Sequence, residues 1–581
     1  MSDAAPVTPE ALARARAALA AAPRHPALHY NYGLMLHESG DAAAAAASYA
    51  RAAQLKPDFI QAWNNLGQAL EDVHDSEEAA RAYRRALAVK PDYAAALRNL
   101  ARLAVAEGDA PAARDCAQRL LGLEPDNWFA RLTAALALPA VYDSAAALAA
   151  ERARYAAELA RLLDLAQTTP GSAELRLGAL ERHTNFFLAY QGEDDRALQA
   201  GYALLARRLI GDAAPELAAP RPLRKGGRRL RVAFAGSFFR DCTVGHYFRS
   251  WIEGLDPARF EVSLFLLGGA EDRLTAALRR AAQETVRVGG ALPQAAQTIV
   301  EHAPDVLIYP ELGMHGRTTA LAALRLAPVQ CAGWGHPVTS GHAGIDYFLS
   351  AGAMEPADAD AHYVEKLVRL PGLGTRYAMP AVGPNLSRRD LGLPEHAHLY
   401  FFPHAPYKVH PENDALLAEL LAADAEGLLV LCEGVVPAQM AALRGRLLRS
   451  GIAETRLLTL PHLPRARFLE ACRLCDAMLD TTRWSGGNTS LDALAAGLPI
   501  VTRRGRFMRG RQSAGMLELL GLTELIADGD ADYLRIALRL GRERAFREEM
   551  SARIGAQRGR LFDDPAPVAA LQAFLLSLGE P

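Results

Sequence analysis

The stretch LDTTRWSGGNTSLDALAAGLPIVT, Leu479 to Thr502, decides the fold class. It reads as the end of a buried strand, a glycine turn, a helix and a second buried strand, the alternation of an α/β sheet. Gly486 and Gly487 let backbone N–H groups approach a ligand. Asn488, Thr489 and Ser490 open a helix whose positive end faces the turn, so an anion, phosphate above all, is the natural guest. The helix, Leu491 to Ala496, stops at Gly497, and Leu498 to Thr502 forms the next strand. Neither GxxxxGK[ST] nor a well-placed GxGxxG occurs in the chain, and a purely structural glycine turn is the competing reading.

Working outward, similar runs fall into two series. Arg231–Gly236, Phe260–Leu267, Val306–Tyr309, Val329–Trp334 and Tyr347–Leu349 form the first. Leu399–Pro403, Leu428–Cys432, Arg456–Leu460, Ala477–Asp480 and Ile500–Thr502 form the second, which ends in helices near Phe562. Short apolar runs separated by helical stretches predict two successive doubly wound α/β domains, with ligands at the carboxyl ends of the strands.

The first quarter of the chain repeats. Pro23, Pro57, Pro91 and Pro125 stand 34 residues apart, the tetratricopeptide period. Gly33, Gly67 and Ala101 hold a small position in each first helix, and Tyr49 and Tyr83 an aromatic position in each second helix. Such stacks form grooves that hold peptides or proteins. Asn31, Asn64, Asn65 and Asn99 are candidate groove amides, with solvated asparagine as the plain alternative. Residues 126 to 229 read as a helical bridge in which ERHTNFFLAYQGEDD, Glu181 to Asp195, is unlike the rest, and the basic piece Ala219 to Arg231 marks the boundary. The expected divisions are repeats over 1–125, bridge over 126–229, a first lobe over 230–385 and a second over 386–581.

Composition limits the function classes. The 581 residues exceed one core and predict three or four folded units. A net charge of −2 favours neither nucleic acid nor an anionic membrane surface. Six scattered cysteines make no disulfide framework, and no secretion signal or run of about 18 apolar residues is present, so a reducing cytoplasm is expected. Cys472 and Cys475 read as core residues, and no metal motif appears.

Several chemistry-bearing side chains fall after strands. Asp241 and His246 follow the first, with a capping aspartate and a surface histidine as plain alternatives. Glu311 and His315 follow Val306–Tyr309, His336 lies in a glycine-rich loop, and Lys408 follows the LYFFP run. A lysine near a glycine turn and helix N-terminus suits a diphosphate, although lone lysines are usually surface charges.

Repeats followed by two α/β lobes, with LRLAPVQCAGWGHPVTSG (Leu324–Gly341), PYKVHP (Pro406–Pro411) and the Leu479–Thr502 stretch in that order, resemble the O-linked N-acetylglucosamine transferases and plant SPINDLY proteins. The resemblance runs from the repeats to about residue 565. It implies a tetratricopeptide superhelix joined to a two-lobed GT-B transferase that moves a sugar from a nucleotide, of UDP type, to a protein side chain, with inversion and without metal or other cofactor. By resemblance Lys408 contacts the diphosphate, and Gly486, Gly487, Asn488, Thr489 and Ser490 form the turn and helix start. Asp492 binds the ribose, Phe468 stacks on the base, and Pro461 and His462 edge the pocket. His246 matches one first-lobe histidine.

Departures accompany these matches. Cys242 replaces the other first-lobe histidine, Tyr309 stands at an acidic position with Glu311 two residues on, and His336 replaces the tyrosine of a Tyr-Pro pair. Asn488 stands where animal-type members have histidine, and its Gly-Asn-Thr order is similar to that of bacterial glucosyltransferases acting on asparagine. The sugar therefore stays open, as does the general base among Asp241, His246 and Glu311. The acceptor expected from resemblance is Ser or Thr of a protein such as flagellin, with asparagine, other sugars, or a nucleotide-binding scaffold without turnover as alternatives.

Overall fold

The computed structural model describes residues 7–168, 173–211, 217, 219–223, 229–269, 271–381, 383 and 385–578. Residues 224–228 of the basic boundary piece thus lie outside the described residues. The chain divides into two compact units, Met1–Pro139 and Ala140–Pro581, where length had suggested three or four. The second unit holds the bridge from residue 140 onward together with both sheets, and residues 126–139 fall with the repeats.

The first unit is a stack of helices, among the described residues α1 (Pro9–Ala21), α2 (Pro26–Glu38), α3 (Ala42–Leu55), α4 (Ile60–Asp72), α5 (Ser76–Val89), α6 (Ala94–Glu107), α7 (Ala110–Leu123) and α8 (Trp128–Leu136). The 34-residue period recurs in the caps. Asp41, Asp75 and Asp109 accept from the amides of Ala44, Glu78 and Ala112 at 3.0, 3.2 and 3.1 Å, each satisfying an otherwise orphaned N–H at a helix start. The glycine positions set how closely helices cross. A Cβ at Gly67 would lie 2.5 Å from the fully buried Tyr83 ring, and one at Gly33 would lie 2.7 Å from the Tyr49 ring. One period on, Ala117 stands at the tyrosine position, and the small position carries Ala101 instead of glycine. Gly67→Ala is therefore expected to destabilise this unit by about 1–2 kcal/mol in chemical denaturation, overpacking outweighing the better helix propensity of alanine. An unchanged midpoint would mean that the tyrosine ring can move aside.

The asparagines of the first helices bond one another. Asn99 donates to Asn64 at 3.1 Å, Asn64 to Asn65 at 3.2 Å, and Asn65 to the Tyr30 hydroxyl at 3.1 Å. Much of the amide capacity expected to face a peptide is thus used along the stack, while Asn31 is exposed.

In the second unit, α9 (Ala145–Thr168), α10 (Ala173–Arg182) and α11 (Arg196–Ile210) precede two all-parallel sheets. The first has the order β3-β2-β1-β4-β5-β6-β7, from β1 (Leu230–Gly236), β2 (Phe260–Leu266), β3 (Glu284–Arg287), β4 (Val306–Tyr309), β5 (Val329–Gly333), β6 (Tyr347–Ala351) and β7 (Lys366–Leu370). The second has the order β10-β9-β8-β11-β12-β13, from β8 (His398–Phe401), β9 (Gly427–Cys432), β10 (Leu457–Leu460), β11 (Ala477–Leu479), β12 (Ile500–Arg503) and β13 (Ile526–Ala527). The central strands are the apolar runs predicted from sequence. The unpredicted β3, β7 and β13 are all edge strands; β3 and β7 are short, interrupted by charged residues and partly exposed, and β13 is two residues long. Edge strands bury less and escape a hydrophobicity signal.

Two features tie this unit together. The segment Glu181–Asp195 packs between the two sheets, with Phe187, Leu188, Tyr190 and Asp195 buried. The last described helix, Ala566–Ser577, returns to the first sheet: the Asp256 amide donates to Gln572 at 3.1 Å, and Tyr347 meets Phe574 edge-on at 5.1 Å. No helix among the described residues is long and apolar enough to cross a membrane.

Candidate functional site

The glycine turn is built on a buried carboxylate. Asp480 follows β11, accepts from the Gly486 amide at 2.8 Å through one oxygen, and takes hydroxyl bonds from Ser485 and Thr502, each 2.6 Å, through the other. Ser485 and Ser490 each lie 2.8 Å from the Ser513 hydroxyl. The turn is thereby fixed before the helix Asn488–Ala495 begins. Thr489 leaves its buried hydroxyl without a partner.

Lys408 ends a 3-10 turn, Pro406–Lys408, after β8. Desolvation pulls its ammonium down to about 8, opposed by the charge of Asp480. Among the described residues it has no ion-pair partner, and the carboxylate whose charge reaches it is the Asp480 that builds the turn. The nearby His404 is also held below the ordinary range by burial and bonds the Leu479 carbonyl at 2.9 Å.

Asp492, on the helix that leaves the turn, is buried and paired with Arg465 at 2.7 Å, and it accepts from Asn488 at 3.0 Å. Arg465 also donates to the Tyr377 hydroxyl at 2.7 Å, and that hydroxyl donates to Asn488. Burial raises the Asp492 carboxyl while Arg465 opposes the rise. Each carboxylate oxygen keeps lone-pair capacity beyond these bonds. Phe468 lies on the same helix as Arg465, half-buried and 5.5 Å from the Phe401 ring, while Pro461 and His462 are exposed just after β10.

The first lobe brings His246 and Asp241 together, His246 Nε2 lying 2.8 Å from an Asp241 oxygen. His246 is near enough to Asp492 that a charge on its ring favours the ionised carboxylate. Cys242 instead turns its thiol to the Phe238 carbonyl at 3.4 Å.

Glu311 is set apart from that pair. It is fully buried after β4; one oxygen accepts from the Ser237 amide at 2.9 Å, and the other has no partner. Burial pushes its carboxyl up to about 7, with the Ser237 bond opposing. The unfolded chain ionises this group near 4.5, so folding stability falls as pH rises from about 4.5 to 7. Glu311→Gln should remove that decline and gain on the order of 2–3 kcal/mol over the native chain between pH 4.5 and pH 8. Denaturant midpoints at both pH values check this; parallel changes would show a carboxyl that titrates normally.

His336, in its glycine-rich loop, is buried. Its ring stacks on Phe186 with centroids 5.5 Å apart, and burial drives its pKa down to about 3. His315 caps the helix Gly316–Ala322. Phe186 belongs to the Glu181–Asp195 segment, whose Tyr190 stacks on Trp484 at 3.9 Å and meets Tyr407 edge-on at 4.6 Å. The same segment holds Arg483 through Glu193 and Arg509 through Asp195. It thus buttresses the residues on either side of Lys408 and of the glycine turn. The sequence marks this segment as unlike its surroundings without placing it at the site, and it assigns no role to Asp480, Arg465 or Tyr377. The Asp directly after the apolar Ala477–Leu479 run was the one local signal for the first of these.

The sequence family described as glycosyl transferase family 41 matches residues 155–377 and 374–564, and tetratricopeptide-repeat families match 64–127 and 33–73. A probable UDP-N-acetylglucosamine–peptide N-acetylglucosaminyltransferase SPINDLY from Eustoma exaltatum subsp. russellianum is 29% identical over 260 residues, covering 42% of this chain and 27% of the relative. The corresponding protein SEC of Arabidopsis thaliana is 25% identical over 289 residues, covering 48% and 30%. The matches thus span less than a third of these curated relatives. The structure of a mutant Thermobaculum terrenum O-GlcNAc transferase shares the fold, with a TM-score of 0.67, 24% identity, and coverage of 97% of this chain and 98% of that one.

Proposed function

Because the chain belongs to glycosyl transferase family 41, we propose that it transfers a sugar, N-acetylglucosamine or another, from a nucleotide donor to Ser or Thr of a protein bound by the repeats. The observation that carries this reading is Lys408 beside a pre-formed turn and helix N-terminus. As the glycosidic C–O bond to the diphosphate breaks, negative charge grows on the leaving phosphate. An ammonium and helix N–H groups held in place stabilise that charge without a metal ion.

The acceptor hydroxyl attacks the anomeric carbon from the opposite face, inverting it, and gives its proton to a base. His246 is the base best supported, because Asp241 orients its ring and its field reaches Asp492 in the other lobe. Asp241 accepts from the ring, and buried Glu311 holds the Ser237 turn. Asp492 with Arg465 presents hydrogen-bonding capacity to a ribose, and half-buried Phe468 offers an aromatic face to a base. The six cysteines are unpaired, as suits a reducing cytoplasm. A flagellin-like acceptor rests on resemblance alone.

Calorimetry against UDP-, GDP- and CMP-sugars, followed by transfer assays with the donor that binds, tests the proposal. Selective UDP-sugar binding with transfer supports it. GDP or CMP preference would replace the donor class, and binding without turnover would favour a nucleotide-binding scaffold.

A further inference from the structure

One first-lobe side chain reaches the glycine turn with its polar atom unused. Tyr247 lies on the helix Thr243–Glu253, is 5% exposed, and has a buried hydroxyl with no hydrogen-bond partner among the described residues. Its ring is held between Trp334, with centroids 4.6 Å apart, and Tyr377, at 5.4 Å. The hydroxyl points at the turn: a Cβ at Gly487 would lie 2.7 Å from it, and equally 2.7 Å from Gln512 Oε1. Any side chain at Gly487 would therefore occupy the space that the Tyr247 hydroxyl and Gln512 Oε1 border.

A buried hydroxyl left unbonded costs about 1–3 kcal/mol, and such a group persists where something else uses it. Here it adjoins the start of the helix Asn488–Ala495, together with the unpartnered Thr489 hydroxyl. Tyr247 follows β1 of the first sheet and the turn follows β11 of the second, so an anion bound between them would join the two lobes.

We propose that Tyr247 is a donor-binding residue, its phenolic O–H donating to a phosphate oxygen of the nucleoside diphosphate seated on the Gly486–Asn488 turn. The inference rests on the nucleotide-donor reading given above. The ring neighbours set the hydroxyl's direction in advance, so little side-chain freedom is lost on binding. Burial holds the phenol well above its ordinary range, so it stays a neutral donor across the physiological range.

Tyr247→Phe in the full chain tests this by calorimetry with UDP, with GDP in parallel. The expected result is roughly tenfold weaker nucleotide binding, while the unfolding midpoint of the free protein is unchanged or higher, since the variant removes an unsatisfied group. A role limited to packing would instead lower the midpoint and weaken binding with it, which would overturn the proposal. Unchanged UDP affinity would overturn it as well, and loss confined to a UDP-sugar would move the contact to the sugar and overturn the phosphate assignment. If the native chain bound neither nucleotide, the donor reading would fail first and carry this inference with it.

Discussion

Lys408→Ala should lower turnover by at least about 10²- to 10³-fold while leaving the circular-dichroism spectrum and unfolding midpoint near those of the native chain. The structural reason is the separation of roles around the turn. Asp480 and the Ser485, Ser490 and Ser513 hydroxyls hold the loop's shape, whereas Lys408 makes no ion pair among the described residues. Its removal deletes positive charge where the leaving group develops negative charge and breaks no internal salt bridge. Near-native rates in the variant would remove the leaving-group role.

The pH dependence supplies an independent reading of the same residue. With its free-protein pKa drawn down to about 8, Lys408 loses its proton as pH rises through that value, and kcat/KM for the donor should fall there. Bound diphosphate favours the charged ammonium, so the fall in kcat should come at higher pH. Lys408→Arg keeps a charge across this range and should flatten the limb, even if its geometry lowers the maximum. A limb that persists in the arginine variant would assign the titration to another group.

Removal of residues 1–139 should cost transfer to a protein acceptor on the order of tenfold or more, while hydrolysis of the donor by the remaining unit stays within about twofold. The cut falls between the two compact units, so it leaves both sheets and the Glu181–Asp195 segment intact. A repeat stack that captures the acceptor raises its effective concentration and contributes nothing to water as acceptor. Paired measurement of transfer and hydrolysis separates the cases. Equal losses would mean that the repeats act on the stability of the lobes.

The repeats and the central strands were legible because each rests on a local pattern. Pro23, Pro57, Pro91 and Pro125 keep one period, and runs such as RVAFAG and LLVLC announce strands buried on both faces. The Asp480 side-chain bonds to Ser485, Gly486 and Thr502 lie wholly within the quoted stretch, and the position of Asp480 after an apolar run hints at them. The contact of Asn488 with Tyr377 and that of Trp484 with Tyr190 could not be read there. Tyr377 meets Asn488 across 111 residues, and Tyr190 stacks on Trp484 across a still longer separation. His336 illustrates the same difficulty in reverse. Its glycine-rich surroundings mark a loop, but nothing local announces that Phe186, contributed by the bridge, covers it. Such pairings follow from how elements pack, which no single window of sequence records.

The return of Ala566–Ser577 to the first sheet bears on how the chain is made. During synthesis the strands β1 to β7 leave the ribosome some two hundred residues before the helix that covers Tyr347 and borders the Gly254 turn, where Val568 packs. The first lobe must therefore wait, with part of its apolar surface open, until the second lobe has been translated. Its final assembly becomes a late, long-range event, coupled to completion of the partner sheet. A lobe pair stitched in this order acquires a finished donor cleft only after both halves exist.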